Sequence, residues 1–584
     1  MSIKIIGISA FYHDAAAALI IDGKVVACAQ EERFSRIKND SEFPKQALEF
    51  CLEQGSKDLG QTLTINDIDH LVFYEKPILK FERIILTCLK YFPKTFWFFT
   101  KSMITWFSDK LWMKGKLAEL SGIDPDKIIF SKHHLSHACS SYFCSDYNDA
   151  AVLTIDGVGE WATTTIGHAK GNQIKLLEEI QFPNSIGLLY STLTAFLGFE
   201  VNEGEYKVMG MASYGKPKYV EQIRQMFHLN DDASFYNVEK FYAYLYDPAK
   251  SYTKELEKLL GKPRERGDRF FVDPENAERD QHYADIAKSL QVITEEAVLA
   301  LARRAKQITG SKNLCFSGGV ALNCVANARI LRELDYDDVF LQPAAGDSGS
   351  ALGAAYYAYN ILLGKPKVNA GFSHPYWGSE ISDEEVEYEI KARGLTKVTK
   401  FNSFEELLPR LAEILNSEKV IGWCQGRFEW GPRSLGARSI IASAAKAEMR
   451  NTVNLKIKFR EAFRPFAPAV IEEAADQYFD LKHKTETSMY KYMLATCPVK
   501  QAKLLEAVTH VDGSGRAQTV NRATNAKFYD LLKAYEKLSG IPVLINTSYN
   551  LRGEPIVRTA SNAMDTFYKS GLDALAINNY LIEK

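Results

Sequence analysis

The chain has 584 residues, 46% of them hydrophobic and 25% charged, with a formal net charge of −2. That length exceeds what one core usually supports, so two or more domains are expected, and the near-neutral balance argues against nucleic acid or an acidic membrane surface as partner. Nine cysteines without a CxxC spacing fit free thiols in a reducing compartment, and the first residues run straight into a strand without a signal-peptide pattern, so a cytoplasmic location is expected.

In chain order, Ile3-Lys4-Ile5-Ile6-Gly7-Ile8 reads as a buried strand, 9–14 breaks it, and 15–21 resumes extended. Asp22-Gly23 is a two-residue hairpin turn into 24–30. The same order recurs over 151–180, with Asp156-Gly157-Val158-Gly159-Glu160 as the polar loop and Lys170-Gly171-Asn172 as the turn. Two such units facing each other across a cleft are the plan of the actin–hexokinase–acetate kinase superfamily, whose hairpin loops hold a nucleotide's phosphates. Between them, 92–112 is crowded with aromatic residues, among them Phe96, Trp97, Trp106 and Trp112. Lys94, Lys101, Asp109 and Lys110 interrupt it, so no apolar run reaches the ~18–20 residues of a spanning helix. Burial against another domain or a second subunit is expected, with an amphipathic helix lying on a membrane as the alternative.

Next comes Ser131-Lys132-His133-His134-Leu135-Ser136-His137-Ala138. If 135–144 is helical, His133 and His137 stand one turn apart with Cβ atoms ~5–6 Å apart, and two neutral imidazoles at that spacing can close on one metal ion. His134 points about a third of a turn away. Asp156, at the end of apolar strand 151–155 and beside a glycine turn, is placed to be a third, hard ligand. The opposing reading is a histidine-rich helix start on the surface.

Farther on, 202–210 alternates acids with Lys207, and 220–290 reads as helical and charged, a substrate-side insertion or cap. Strand 313–316 ends in Ser317-Gly318-Gly319-Val320 and opens a helix at about Ala321; N–H groups exposed at such a start favour phosphate or a nucleotide. Strand 339–342 repeats the arrangement, with Asp347 able to cap the following helix and small residues that point to close packing near a ligand. The Pro- and Gly-punctuated 364–378 is read as a linker between domains 1–365 and 366–584. Beyond it lie helix 404–417, strand 420–424 and a loop with Arg427, Arg433 and Arg438. An extended segment after 455 would put Lys456, Lys458 and Arg460 on one face. Together with Arg464, Arg516 and the Asn546-Thr547-Ser548-Tyr549-Asn550 strand end, these cations suit a phosphorylated anion, the alternative being a solvated basic face.

The ordered set of motifs resembles the NodU/CmcH-type O-carbamoyltransferases. It runs from Tyr12-His13-Asp14-Ala15-Ala16-Ala17 and Glu31-Glu32-Arg33-Phe34 through His133-x-x-x-His137, Asp156-Gly157-x-Gly159-Glu160, Lys207-Val208-Met209-Gly210 and Ser317-Gly318-Gly319-Val320-Ala321-x-Asn323. It continues with Gly346-Asp347-x-Gly349, Phe463-Arg464-Pro465-Phe466-Ala467-Pro468 and Asn546 to Asn550. The resemblance implies an α/β protein with an N-terminal duplicated actin/hexokinase-like (Kae-type) domain and a C-terminal YrdC-like α/β domain. It implies that the second makes carbamoyl adenylate from carbamoyl phosphate and ATP (with Mg), and that the first transfers the carbamoyl group to a hydroxyl.

By the same resemblance, His133, His137, Asp156 and Asp347 are the expected metal ligands, with iron the metal. Lys458, Arg464, Arg516 and Ser548 are expected to bind carbamoyl phosphate and the forming adenylate. Glu205, Lys207, Gly318, Gly319, Asn323, Arg433, Arg460 and Asn550 are expected at the nucleotides. His13 and Asp14 lie where the acceptor should approach, His13 as candidate base. The acceptor is left open: a sugar, antibiotic, toxin or other natural product with a free hydroxyl. No nucleic-acid partner, no stable membrane insertion and a homodimer are expected. A sugar kinase or ATPase of the same superfamily would explain only the first 360 residues. A tRNA threonylcarbamoyl-type transferase would want a basic surface, and a nucleotide-dependent binding module would consume no carbamoyl phosphate.

Overall fold

The computed structural model describes residues 2–584 apart from 109, 248, 269, 271–276, 460–463 and 482–486. The chain forms two compact units, the first comprising Met1–Ala10, Ala16–Val26 and Leu52–Ala370, the second Phe11–Ala15, Ala27–Cys51 and Gly371–Lys584. Two early segments therefore group with the C-terminal residues.

The first sheet contains β1 (Lys4–Ser9), β2 (Ala16–Ile21), β3 (Lys24–Gln30), β4 (His70–Phe73) and β5 (Ile128–Phe130), in the order β3-β2-β1-β4-β5. β1 runs antiparallel to β2 and parallel to β4. The turn between β2 and β3 has Asp22 at φ 49° and Gly23 at φ 81°, both left-handed, as a two-residue hairpin with this twist requires. The second sheet uses β6 (Asp149–Ile155), β7 (Ala162–Lys170) and β8 (Gln173–Gln181). After a short hairpin, β9 (Phe227–Leu229) and β10 (Phe235–Asn237), it adds β11 (Asn313–Ser317) and β12 (Asp338–Phe340). Its order is β12-β11-β6-β7-β8, with β6 antiparallel to β7 and parallel to β11. Strand for strand this is the first sheet again, so the pattern-level repeat is a duplication of topology and the unit has the actin/hexokinase-like plan.

Close backbone approach holds that unit together. A Cβ on Gly7 of β1 would lie 1.8 Å from Ala351 O, and one on Gly353 would lie 1.8 Å from Ser136 O. The small-residue helix Asp347–Tyr356 is thereby wedged between β1 and the helix His133–Tyr142. In the two sheets Ile6, Leu19 and Leu153 are fully buried, and each such side chain contributes about 1.5–3 kcal/mol.

Two expectations change. The 220–290 stretch is mixed: β9 and β10 separate the short helices Val220–Arg224 and Lys254–Leu260, before the helix Ala277–Thr309. The glycine-rich end of β11 passes through one 3-10 turn, Gly319–Leu322, and its helix begins only at Cys324. In 92–112 the helix Phe96–Ser108 buries Trp106, but Trp97 is 80% exposed, so most of the segment is open to solvent in the single chain.

The second unit is built on an eight-stranded sheet. Its strands are β13 (Val398–Lys400), β14 (Ile421–Cys424), β15 (Arg438–Ser443), β16 (Ala467–Ile471), β19 (Gln518–Val520), β20 (Val543–Ser548), β21 (Ala574–Ile577) and β22 (Tyr580–Glu583). The order is β13-β22-β21-β14-β15-β20-β16-β19, while β17 (Cys497–Pro498) and β18 (Ser514–Gly515) pair separately. The helix Phe404–Asn416 starts where Ser403 Oγ accepts the Glu406 N–H, and it buries Phe404, Leu407 and Leu411. One reading fails here. Lys456 and Lys458 do not share an extended face: Thr452–Ile457 is a π-helical turn, closed by the Lys458 N–H to Val453 O bond of 2.9 Å. Two residues along such a turn are about half a turn apart, so Lys456 is exposed while Lys458 is buried. Arg460 lies outside the described residues. Among the described residues no helix is long and apolar enough to cross a membrane, and all nine cysteines are free and buried.

Candidate active site

The helix His133–Tyr142 presents two imidazoles one turn apart, and the start of the helix Asp347–Tyr356 faces it with Asp347. Asp156 arrives from the end of β6. His133 Nε2 lies 3.0 Å from Asp156 Oδ2 and 3.6 Å from Asp347 Oδ1; His137 Nε2 lies 3.7 and 3.4 Å from the same two oxygens. One donor atom from each residue falls within 4.8 Å of all the others. Asp347 is the first helical residue behind the N-cap Gly346, so it serves this cluster from the place where an N-cap was expected.

Four donors converging below the surface are costly to leave uncompensated, because two carboxylates side by side need positive charge. Burial on its own would lower the His137 pKa, but the hydrogen bonds and charges of Asp156 and Asp347 outweigh it and raise the pKa to about 9. For Asp156, burial raises and the bonds to His133 and His137 lower; the bonds win, and its carboxyl is held well below the usual range. A divalent cation would take over the role of that bound proton, and two imidazoles with two carboxylates are a donor set that several divalent metals accept. The residues present fit such an ion. His134 is not one of them: its Nδ1 lies 2.6 Å from Thr154 Oγ1, and burial, then the neighbouring His133 and His137, push its pKa down to about 3.

Several residues that orient these donors were given no role in the sequence analysis. Ser350 Oγ is 3.0 Å from His137 Nδ1, one turn along the helix from Asp347; it fixes the tautomer that leaves Nε2 facing the cluster. Ser317 Oγ donates to His137 O at 2.7 Å. Glu160, buried, accepts the His133 N–H at 3.0 Å and the Lys76 N–H at 2.7 Å, tying the helix start to the loop after β4. Its place four residues after Asp156 was visible, but its role is not, because both partners are backbone groups distant in sequence. The Ser350 signal was legible: three residues after Asp347 on a helix shares its face.

The expected nucleotide contacts divide. Gly318, at φ 98°, touches Ile155 so closely that a Cβ would lie 2.2 Å from its carbonyl oxygen. The Gly319 N–H donates to Asp156 Oδ1 at 2.8 Å. Asn323 caps its helix through the Ala326 N–H and exchanges amide bonds with Gln291. Glu205 accepts from Ser191 Oγ at 2.9 Å and from the Asn202 N–H at 3.0 Å. Lys207 sits over the Tyr206 and Phe199 rings, its Nζ 5.8 and 6.0 Å from their centroids.

In the second unit Lys458, Ser548 and Asn550 come together. Lys458 Nζ donates to Ser548 O at 2.7 Å, to Asn550 O at 2.9 Å and to Ser548 Oγ at 3.2 Å. Ser548 Oγ in turn donates to Asn550 Oδ1 at 2.8 Å. Arg464 is buried beside the π-helical turn, its carbonyl accepting from Asn454 Nδ2. Arg433 and Arg516 stand on separate loops, after β14 and directly after β18. His13 and Asp14 group with this second unit, His13 Nδ1 lying 3.0 Å from Asp14 Oδ2. Asp14 takes φ 53°, a region that Asp tolerates better than most residues.

Residues 4–356 match the family described as "Carbamoyltransferase N-terminus" and residues 412–584 that described as "Carbamoyltransferase C-terminus". The uncharacterised protein sll1178 of Synechocystis sp. is 41% identical over 99% of this chain and 96% of its own length. Nodulation protein NolNO of Sinorhizobium fredii is 36% identical over 98% of this chain and 79% of its own. Among solved structures, HypF of T. kodakarensis is 14% identical over 62% of this chain and 48% of its own, at a TM-score of 0.31. The ROK hexokinase of Thermus thermophilus is also 14% identical, over 61% and 98%, at 0.27. Superpositions that loose add nothing to the fold read from the strand order.

Proposed function

The chain belongs to the carbamoyltransferase family, and from that membership we propose a two-site reaction for this enzyme. Carbamoyl phosphate and ATP enter the second unit, which is YrdC-like in this reading. Water is consumed, phosphate and pyrophosphate leave, and carbamoyl adenylate forms. In the first unit a substrate hydroxyl attacks the carbamoyl carbon, its proton goes to a base, and the bond to AMP breaks, giving an O-carbamoylated acceptor. The acceptor is a small molecule or sugar.

The observation that carries the reading is the meeting of His133, His137, Asp156 and Asp347 within one small volume of the first unit. When bound there, a divalent ion, iron by the resemblance, supplies Lewis-acid stabilisation of the phosphate that departs with AMP. The four side chains hold the place and Ser350 and Glu160 keep them aimed. In the second unit, Lys458 is fixed by four oxygens of Ser548 and Asn550 at the end of β20. With Arg464 and Arg516 it would neutralise the charge that grows on phosphate oxygens during adenylate formation.

The test is release of AMP and pyrophosphate from ATP by the purified protein, with and without carbamoyl phosphate and with no acceptor. Release that requires carbamoyl phosphate, disappears in Arg464→Ala and persists in His137→Ala supports two separate sites. ADP formation indifferent to carbamoyl phosphate would instead identify a kinase or ATPase and overturn the account of the second unit.

A further inference from the structure

The stretch 77–121 carries a surface for which the transfer reaction has no use. It forms the helices Pro77–Lys90, Phe96–Ser108 and Met113–Ser121 of the first unit. Phe81 of the first packs on Trp106 of the second with ring centroids 5.1 Å apart, and Trp106 is the buried side of its helix. The side turned to solvent is not polar. Trp97 is 80% exposed, Ile104 and Trp112 68%, Phe92 66% and Leu89 63%. Seven residues make about two turns, so Trp97 and Ile104 share one face, with Thr100 and Lys101 between them. Of 25 large apolar side chains exposed among the described residues, ten lie between 78 and 112. Single exposed hydrophobes are ordinary; that concentration marks an interaction surface.

Charge decides what the surface fits. Residues 77–121 hold eight basic and three acidic side chains, a net of +5 that falls to +2 once the acidic partners outside the stretch, Glu75, Glu239 and Asp126, are counted, in a chain whose total is −2. Lys80, Lys90 and Lys114 have acidic neighbours in Glu75, Glu239 and Asp126 and Arg83 is buried, but Lys94 and Lys101 are exposed along the same stretch as the aromatic residues. Trp and Phe beside Lys are the side chains that settle at a headgroup boundary, the rings at the acyl edge and the ammonium groups at lipid phosphates. Two copies of this chain joined face to face here would set one net positive surface against another, which disfavours a second copy as occupant.

We propose that the helices Pro77–Lys90 and Phe96–Ser108 dock the protein on the surface of an anionic lipid bilayer, with Trp97 and Ile104 entering the headgroup region and no segment crossing it. The binding is peripheral, and salt reverses it.

Vesicle flotation with the 584-residue chain tests this, using phosphatidylcholine alone and phosphatidylcholine mixed with phosphatidylglycerol. The expected result is binding to the mixed vesicles only, falling at least about tenfold when salt is raised to ~0.5 M. Trp97→Ser combined with Ile104→Ser should reduce binding to the mixed vesicles about tenfold or more. Lys101→Glu should weaken it in the same assay, and unchanged unfolding midpoints would show that both variants remain folded. Absence of binding by the natural chain, or binding unchanged in the double variant, overturns the proposal. A natural chain that ignores vesicles but forms a dimer, split by the double variant in sedimentation velocity, assigns the surface to a second copy instead.

Discussion

The backbone N–H of Gly319 donates to Asp156 Oδ1 at 2.8 Å, and a Cβ added at Gly319 would lie 2.8 Å from that same oxygen. The glycine-rich end of β11, read from sequence as a phosphate cradle, thus approaches a carboxylate of the protein's own donor cluster. Only a residue without a side chain can bring its amide there and leave Asp156 in place.

Gly319→Ala is therefore expected to move Asp156 rather than to unfold the unit. Divalent-metal affinity should fall about 10–100-fold, the range for loss of an outer partner of a ligand. Calorimetric titration of the metal-free protein measures it, and an unchanged affinity would mean that Asp156 does not need this position.

Ser350→Ala removes the group facing His137 Nδ1. The His137 ring then loses the contact that selects its tautomer, so metal affinity should again drop about 10–100-fold. Thermal stability should change by only about 1 kcal/mol, the usual worth of one such bond. A large stability loss with unaltered affinity would make Ser350 a packing residue.

His137 gives the metal-free protein a specific pH response. Its folded pKa is raised to about 9 from an ordinary 6.5 by Asp156 and Asp347, against the opposing effect of burial. The linked stability is fully present below 6.5 and is lost as pH rises through about 9. A metal must displace the same proton, so affinity should climb by up to about tenfold per pH unit across that window and then level. Titration calorimetry in buffers of different ionisation heat should register the released proton. A flat profile from pH 6.5 to about 9 would show that His137 binds no proton there.

Lys458→Met keeps the length of a buried side chain but removes the ammonium held by Ser548 and Asn550. Carbamoyl-phosphate-dependent AMP release should fall about 10²–10³-fold, the scale of losing one charge-stabilising donor. Metal binding in the first unit should be untouched. Equal AMP release by the variant would remove Lys458 from adenylate formation.

Local chemistry made much of this legible in advance. Asp22-Gly23 names its own turn, because few other pairs accept two left-handed residues in succession. His133 and His137 were one helical turn apart in sequence, and a helix is what forms there, so their shared face followed from its pitch. Asp156 at a strand end beside glycines was equally local. The Lys456–Lys458 reading failed because alternation in sequence specifies one face only if the backbone is extended, and this backbone coils into a π-helical turn.

The sequence alone determined the elements whose rules act over a few residues: the hairpins, the repeated strand order and the two-histidine helix. The tertiary structure decided what depends on packing between distant segments. It brought Asp347 to the histidines across the close contact of Gly353 with Ser136, put Glu160 under the His133 amide and gathered 11–15 and 27–51 with the C-terminal residues. Such contacts are set by which backbones can approach and which buried polar groups must find partners, and neither is written within a short window of residues.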